Sequence, residues 1–184
     1  MINYDSNDLQ KLYIAYFGRP GDPLGIKYWL SSQIKLLNLR EISNEFSRQE
    51  EYKYCIGNNK SFEFKVNKLY LNLFDRKAGC DCLNYWIGKL NNQNYKISDI
   101  IYDLIFSKDQ YYPITKGQED KDKNILENKT LAAAIFTKQV ARSITLMNLY
   151  QPDSVSPWIP GNALIKASNF LKSVNYQQVS IDDV

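Results

Sequence analysis

Apolar positions recur along the opening of the chain at helical spacing. In LQKLYIAYFGR, Leu9, Leu12, Tyr13, Tyr16 and Phe17 fall on one face of a 3.6-residue period, which predicts a helix over about residues 7 to 17. Moving 57 positions on, VNKLYLNLFDR repeats that face with Val66, Leu69, Tyr70, Leu73 and Phe74, and Arg76 stands where Arg19 stood. The match continues through the following turn, where Tyr28-Trp29 is answered by Tyr85-Trp86 and Ile26 by Leu83. Self-similarity at a fixed period marks an internal repeat.

Both turns feed a second helix whose stripe carries a Trp on its core face: Ile26, Trp29, Leu30 and Ile34 in the first copy, Leu83, Trp86, Ile87 and Leu90 in the second. A third helix follows in each, LREISNEFSRQEEYKY and KISDIIYDLIFSKDQYY. Here SRQEEY matches SKDQYY at a separation of 60, so three residues are inserted before the third helix of the second copy. No stretch sustains a two-residue alternation, and the chain reads as all-α: two tandem three-helix repeats plus C-terminal helices forming one compact bundle. The divisions are 1–57 for the first repeat, 58–118 for the second, degenerate one, and 119–184 for helices packing on both. In the last part, GQEDKDK reads as a solvated loop or helix start. ENKTLAAAIFTKQVARSITLMNLY predicts one helix from about 128 to 149, with Leu131, Ile135, then Lys138 or Gln139, and Ala141 or Arg142 along one side. QPDSVSPWIPG is an ordered loop, and NALIKASNFLKSV a final amphipathic helix.

The knot FGRPGDP between the first two helices has a mechanical reading. Gly18 suits the left-handed residue that ends a helix, and Asp22-Pro23 suits an N-cap and first helical position, a cap worth about 1 kcal/mol. Gly25, in the next helical turn, permits close approach of a neighbour. A phosphate loop is the rival reading, but the Lys-Ser/Thr of a P-loop is missing and Asp22 would repel the anion. A calcium loop needs more than one acid per turn. Arg19 and Arg76 follow helix ends, where each locks its turn by pairing with terminal carbonyls or with a carboxylate of the third helix; the sharper alternative is contact with an anionic glycan or a partner.

Composition narrows the functional classes. The 184 residues suffice for a real core, and 14 Tyr, 8 Phe and 3 Trp make that core aromatic. A net charge of +3 is too small for the footprint of a nucleic-acid binder. With no His at all, Ser-His and Cys-His triads and His-containing zinc sites are excluded. Cys55, Cys80 and Cys82 are odd in number and lack zinc-site spacing, so they read as buried free thiols. The acids Glu50 and Glu51, and Glu119, Asp120 and Asp122, are not visibly opposed across a cleft as a glycosidase requires, and no enzyme is predicted. NKT at 128–130 matches a glycosylation acceptor, but Asn128 reads better as a helix cap. MINYDSNDLQ is not a secretory leader and no run of about 18 apolar residues is present, which points to the cytoplasm or to export by a signal lying elsewhere.

The repeat resembles the bacterial DUF4214 domain, whose pattern is similar to LY...LGR.PD..GL.YW. The first copy carries it through Leu12-Tyr13, Gly18-Arg19-Pro20, Asp22-Pro23, Gly25-Ile26 and Tyr28-Trp29. The second keeps Leu69-Tyr70, Arg76, Leu83 and Tyr85-Trp86 but has Asp75, Gly79 and Cys82 at the Gly, Asp and second Gly positions. Over about residues 8 to 145, the two copies and the following helix also resemble the N-terminal anchoring domains of alphaproteobacterial S-layer proteins. The resemblance implies a non-catalytic, secreted, cell-surface domain that attaches to lipopolysaccharide O-antigen or another envelope glycan, exported by a C-terminal type I signal. It implies no cofactor in this chain, with calcium left to a downstream region. Tyr111, Tyr112, Lys116 and Trp158 lie off the helical stripes and are the candidate glycan contacts. The competing class is a helical module that docks to another protein or to itself in a surface lattice. On either reading the turn sets two core helices against each other, and binding is expected elsewhere.

Overall fold

Capping chemistry starts the first helix. The Asp5 carboxylate accepts from the Asn7 and Asp8 amides while Asp8 returns a bond to the Asp5 N–H, so the orphan donors of the first turn are satisfied. The computed structural model describes residues 4–31, 37–57, 59–92, 94–107, 115–152 and 158–174. Among them are ten helices and no strand: α1 (Ser6–Phe17), α2 (Pro23–Trp29), α3 (Leu39–Phe46), α4 (Glu50–Cys55), α5 (Phe62–Phe74), α6 (Cys80–Leu90), α7 (Ile97–Phe106), α8 (Lys116–Val140), α9 (Ile144–Leu149) and α10 (Asn162–Ser173). None is long and apolar enough to cross a membrane.

The apolar faces read from the sequence are the buried ones. Leu9, Leu12, Tyr13 and Tyr16 of α1 meet Val66, Leu69, Tyr70 and Leu73 of α5 in one main core that also takes in Phe46, Trp86 and Ile100. Helices that the sequence treats as equivalent pack on each other, α1 on α5 and α3 on α7. At the first of these contacts, the Asn72 amide donates to the carbonyl of Ala15, its own counterpart 57 positions earlier, at 2.9 Å. Contact between equivalent positions is the pattern of a two-fold interface. At the second, Arg40 reaches Asp99 at 2.5 Å and lies over the Tyr102 ring, while Ser98 donates to Asn44 at 2.6 Å. A smaller cluster of Val140, Tyr150, Trp158, Leu164 and Ala167 joins the end of α8 to α10.

Three expectations need correction. The third helix of the first copy is two helices, α3 and α4, separated by Ser47–Gln49. Of its two readings GQEDKDK takes the helix start, with Asp122 buried, and the helix expected from about 128 to 149 has other bounds: α8 begins at Lys116, Asn128 lies inside it rather than at its cap, and it stops at Val140, after which Ser143 caps α9. The buried face of α8 is also a different one. Leu131 is exposed, whereas Asp122, Leu126, Lys129, Thr130, Ala133, Thr137 and Val140 are buried at helical spacing. Polar residues fill half of that stripe, so an apolar period could not locate it. Tyr111, Tyr112 and Ile34 lie outside the described residues.

Candidate functional site

The first turn is built around a buried charge. Gly18 takes the left-handed conformation at φ 65° and its N–H donates to the Ile14 carbonyl at 2.9 Å, which ends α1 and aims the next side chain inward. Arg19, 2% exposed, donates from Nε and Nη2 to the two Glu51 oxygens at 2.6 and 2.7 Å and from Nη1 to the Pro20 carbonyl at 2.9 Å. Its guanidinium also lies 5.2 to 5.6 Å from the ring centres of Tyr13, Phe17 and Tyr150. Burial works against that charge, and attraction and hydrogen bonding from Glu51 more than offset it, holding Arg19 well above its ordinary value. Because Glu51 belongs to α4, the Arg19 partner is the carboxylate of the third-helix segment, one of the two locking arrangements the sequence predicts.

The rest of the knot follows from the same closeness. Asp22 caps α2 by accepting from the Gly25 N–H at 2.6 Å, with Pro23 at the first helical position. A side chain at Gly25 would run into the Tyr13 hydroxyl and the Asp22 carboxylate, and one at Gly21 would lie within 2.8 Å of Ile26 and Tyr13. The Gly21 N–H donates to Gln10 Oε1 at 2.8 Å, Gln10 Nε2 donates to Thr137 Oγ1 at 2.8 Å, and that hydroxyl donates to the Gly21 carbonyl at 2.6 Å. Through this closed ring α8 holds the first turn against α1.

The second turn keeps the skeleton and changes the lock. Asp75 stands left-handed where Gly18 stood, at φ 56°, and Lys129 of α8 donates to its carboxylate and to the Asn72 carbonyl at 2.5 and 2.8 Å. The Ala78 N–H donates to Asn67 at 3.1 Å and Arg76 to the Lys77 carbonyl at 3.1 Å, the counterparts of Gly21–Gln10 and Arg19–Pro20. Arg76 lies over Tyr70 as Arg19 does over Tyr13, and Trp86 donates to the Tyr70 hydroxyl at 2.9 Å as Trp29 does to that of Tyr13. Yet Arg76 takes its carboxylate from Asp122 of α8, with Nε at 2.8 Å, and not from the third helix of its own copy.

A cleft of about 510 Å³ opens directly against the first turn. Tyr13, Phe17 and Phe46 lie at its base, Tyr28 and Trp29 of α2 and Trp158 form walls, and Gln49 and Glu50 add polar groups. Tyr28 is 53% exposed whereas Trp29 is 8% exposed, so one ring of the pair is core and the other is free to meet a ligand. Trp158 is buried, packs edge-on against the exposed Tyr54 at 5.2 Å, and its indole N–H has no acceptor among the described residues. A second hollow of about 420 Å³ shares Phe17, Arg19, Glu51 and Trp158 with the first and continues along α10 past Asn169.

The cleft therefore gathers one of the predicted glycan contacts, Trp158, around the very turn from which the sequence directed the search away. Lys116 sits exposed in the first turn of α8 and lines neither hollow, and Tyr111 and Tyr112 fall outside the described residues. Tyr54, Gln49, Gln10 and Thr137 were missed. The Gln10 role was legible as the polar counterpart of Asn67 at the repeat spacing; Tyr54 carried no signal, since its partner comes from the Pro-rich loop. Of the thiols, Cys82 is buried and Cys80 exposed, correcting the expectation that all are buried. Burial raises the half-buried Cys55 to about 12, which keeps it a thiol. Among the described residues no group of three or more Cys, Asp and Glu is placed to hold a metal ion.

Fold and site together define an all-α domain of two arginine-anchored helix–turn–helix units, clasped by a long helix and carrying an aromatic cleft at one turn. Comparison with protein-family models, curated proteins and solved structures gave no match for the chain.

Proposed function

We propose that the chain is a DUF4214-like, non-catalytic anchoring domain of a secreted surface protein, and that it binds an envelope glycan, with lipopolysaccharide O-antigen the form the resemblance implies. The observation that carries this reading is the pair of hollows meeting at Trp158, with exposed Tyr28 and Tyr54 rings and polar Gln49, Glu50 and Asn169 between them. Sugar rings lay their C–H faces on aromatic faces and satisfy hydroxyls with such side chains, and a continuous groove suits a chain-like ligand. A non-catalytic role is supported by the state of the nearby acids. Glu51 is bound to Arg19 through both oxygens, and Asp22 is committed to the α2 cap and lies 3.7 Å from the same guanidinium. Neither is placed as a free acid or base.

The test is binding of purified O-antigen polysaccharide to the wild-type chain and to Tyr28→Ala. The variant should fold with stability within about 0.5 kcal/mol of wild type, since it removes an exposed ring, and should lose most of the binding. Absence of polysaccharide binding by the wild-type chain sinks the reading. A second reading, a self-assembly or protein-docking module, is favoured by α9, whose Ile144, Leu146 and Leu149 are all exposed. Sedimentation separates the two: concentration-dependent association without glycan binding supports docking.

A further inference from the structure

Next to the hollow that runs from Trp158 along α10, and sharing Lys68 and Lys172 with it, a further pocket of about 330 Å³ is formed where three helices and the end of α1 meet. Its charged lining consists of Lys68 and Asp75 of α5, Lys129 of α8 and Lys172 of α10. Three lysines against one aspartate leave a formal excess of two positive charges. We propose that this pocket is a binding site for a phosphate-class dianion, either the free ion or a phosphate monoester on a larger molecule.

Of the three lysines, only Lys129 has a carboxylate partner among the described residues. Lys129 is buried and spends two donors on the Asn72 carbonyl and the Asp75 carboxylate, so the one aspartate is answered. Lys172 makes a 3.3 Å bond to Asn169 on its own helix and meets no carboxylate among the described residues. Lys68 is half-buried and has neither a hydrogen bond nor an ion pair among the described residues. Side chains of like charge converging on one pocket in excess of its counter-charge are an unfavourable arrangement that a bound anion relieves. Burial is the main cause that lowers both Lys68 and Lys129 below the ordinary lysine value; the Asp75 hydrogen bond and charge oppose it at Lys129, and repulsion from Lys172 adds a smaller push in the same direction as burial at both.

Charge and size select the ligand class. A phosphate monoester carries about 1.5 to 2 negative charges near neutral pH and offers three oxygens to donors arriving from different directions, whereas a carboxylate carries one charge on a flat group. The Lys68 and Lys172 ammonium stems come from separate helices, and Lys129 enters from a third, a convergence suited to a tetrahedral anion. The pocket exceeds the volume of a bare phosphate, leaving room for the first atoms of an ester. Lys68 and Lys172 also line the hollow that runs to Trp158, so a phosphorylated ligand would have an open path between the two.

Inorganic phosphate and glucose 1-phosphate, each titrated at low ionic strength with the lysine ammonium and backbone amide signals followed by NMR, test this. Shifts should be confined to α5, α8 and α10 around the pocket. Lys68→Gln with Lys172→Gln, which removes charge from half-buried and exposed positions and leaves Lys129 in place, should weaken binding about tenfold or more while the amide spectrum stays folded. Tighter binding of glucose 1-phosphate than of inorganic phosphate identifies an ester as the ligand; equal binding identifies the free ion. No saturable binding of either probe, or unchanged affinity in the folded double variant, overturns the proposal. Glucose alone serves as the control, and a response to it equal to that of the phosphate ester also overturns it.

Discussion

The two turns share a skeleton and differ in what closes it. In both, a polar residue of the first helix holds the turn backbone, an arginine bonds the next carbonyl and lies on a tyrosine, and a Tyr-Trp pair lies within the second helix. The first arginine finds its carboxylate within its own copy and is shut from water, with side-chain exposures of 3% for Arg19 and 7% for Glu51. The second borrows Asp122 from α8 and stays partly wet, with Arg76 at 24%. The reason is visible at the separation of 60: Tyr111 stands where Glu51 stands, so the second copy has no acid at that position. The first turn finds its counter-charge within its own copy and has an aromatic cleft at its side; the second takes its counter-charge from the C-terminal helix.

Removing the acid from each lock should expose this difference most strongly. Glu51→Gln leaves a buried guanidinium without its counter-charge, and the loss should be about 3 kcal/mol in denaturant unfolding. Asp122→Asn removes a partner from a guanidinium that water still reaches, and about 1 kcal/mol is expected. Equal losses would mean that the second lock is as dry as the first. Unfolding curves of the Asp122 variant should also show weaker coupling of α8 to the second turn, read as faster amide exchange in residues 116–126 than in 130–140.

A smaller contrast lies one helical turn further on. At position 25 the Tyr13 hydroxyl occupies the space a β-carbon would need, whereas at the counterpart, position 82, Tyr70 lies against Cys82 and accepts from Trp86. Gly25→Ala should therefore destabilise by about 2 kcal/mol through overpacking. Cys82→Gly, which makes the second turn like the first, should cost about 1 kcal/mol in helix propensity and lost burial. Thermal unfolding of the two variants checks the order; a harmless Gly25→Ala would show that Tyr13 can move aside, and that the cleft floor is softer than its packing indicates.

What was legible from sequence, and what was not, divides along the same line. The faces of α1 and α5 that meet in the core are mostly apolar, so the helical period found them, and Gly18, Asp22 and Pro23 announced their caps through residue types that suit few other positions. Arg19 was readable because its acid lies in the adjacent helix of its own repeat. The Asp122 lock on Arg76 was hidden because α8 buries Asp122, Lys129, Thr130 and Thr137, residues that a hydrophobic scan assigns to solvent. Their burial is satisfied one bond at a time by the turns and by the helix's own carbonyls, a tertiary relation with no local signature. The cleft was hidden for a related reason: Trp158 enters from a Pro-rich segment, far in sequence from Tyr54, which it packs against, and from Trp29, which lines the cleft with it.

The finest difference is at the helix ends. Gly18 and Asp75 are both left-handed, but only glycine adopts that conformation without steric cost, and Asp75 is held there by Lys129. Burial raises the Asp75 carboxyl above its ordinary range against the opposing bond from Lys129, and burial lowers Lys129 against the opposing charge of Asp75. Both shifts disfavour the charged forms, so the pair offsets part of a desolvation cost and is not itself a source of stability. The sign for Asp75 follows from linkage. A carboxyl raised in the folded state binds more protons there than in the unfolded chain, so its contribution is fully present below the unfolded value of 3.8 and is lost as pH rises through the folded one. Asp75→Asn keeps an acceptor for Lys129, suits the left-handed conformation and removes that titration. The variant should match the parent in acid and exceed it at neutral pH by less than about 1 kcal/mol, because the site is partly solvated. Unfolding free energies from about pH 3 to 7 measure this. A variant that is instead the less stable one at neutral pH would show that the charged pair, and not the backbone bond from Lys129 to Asn72, secures the end of α5, making the second turn electrostatically locked at both of its corners.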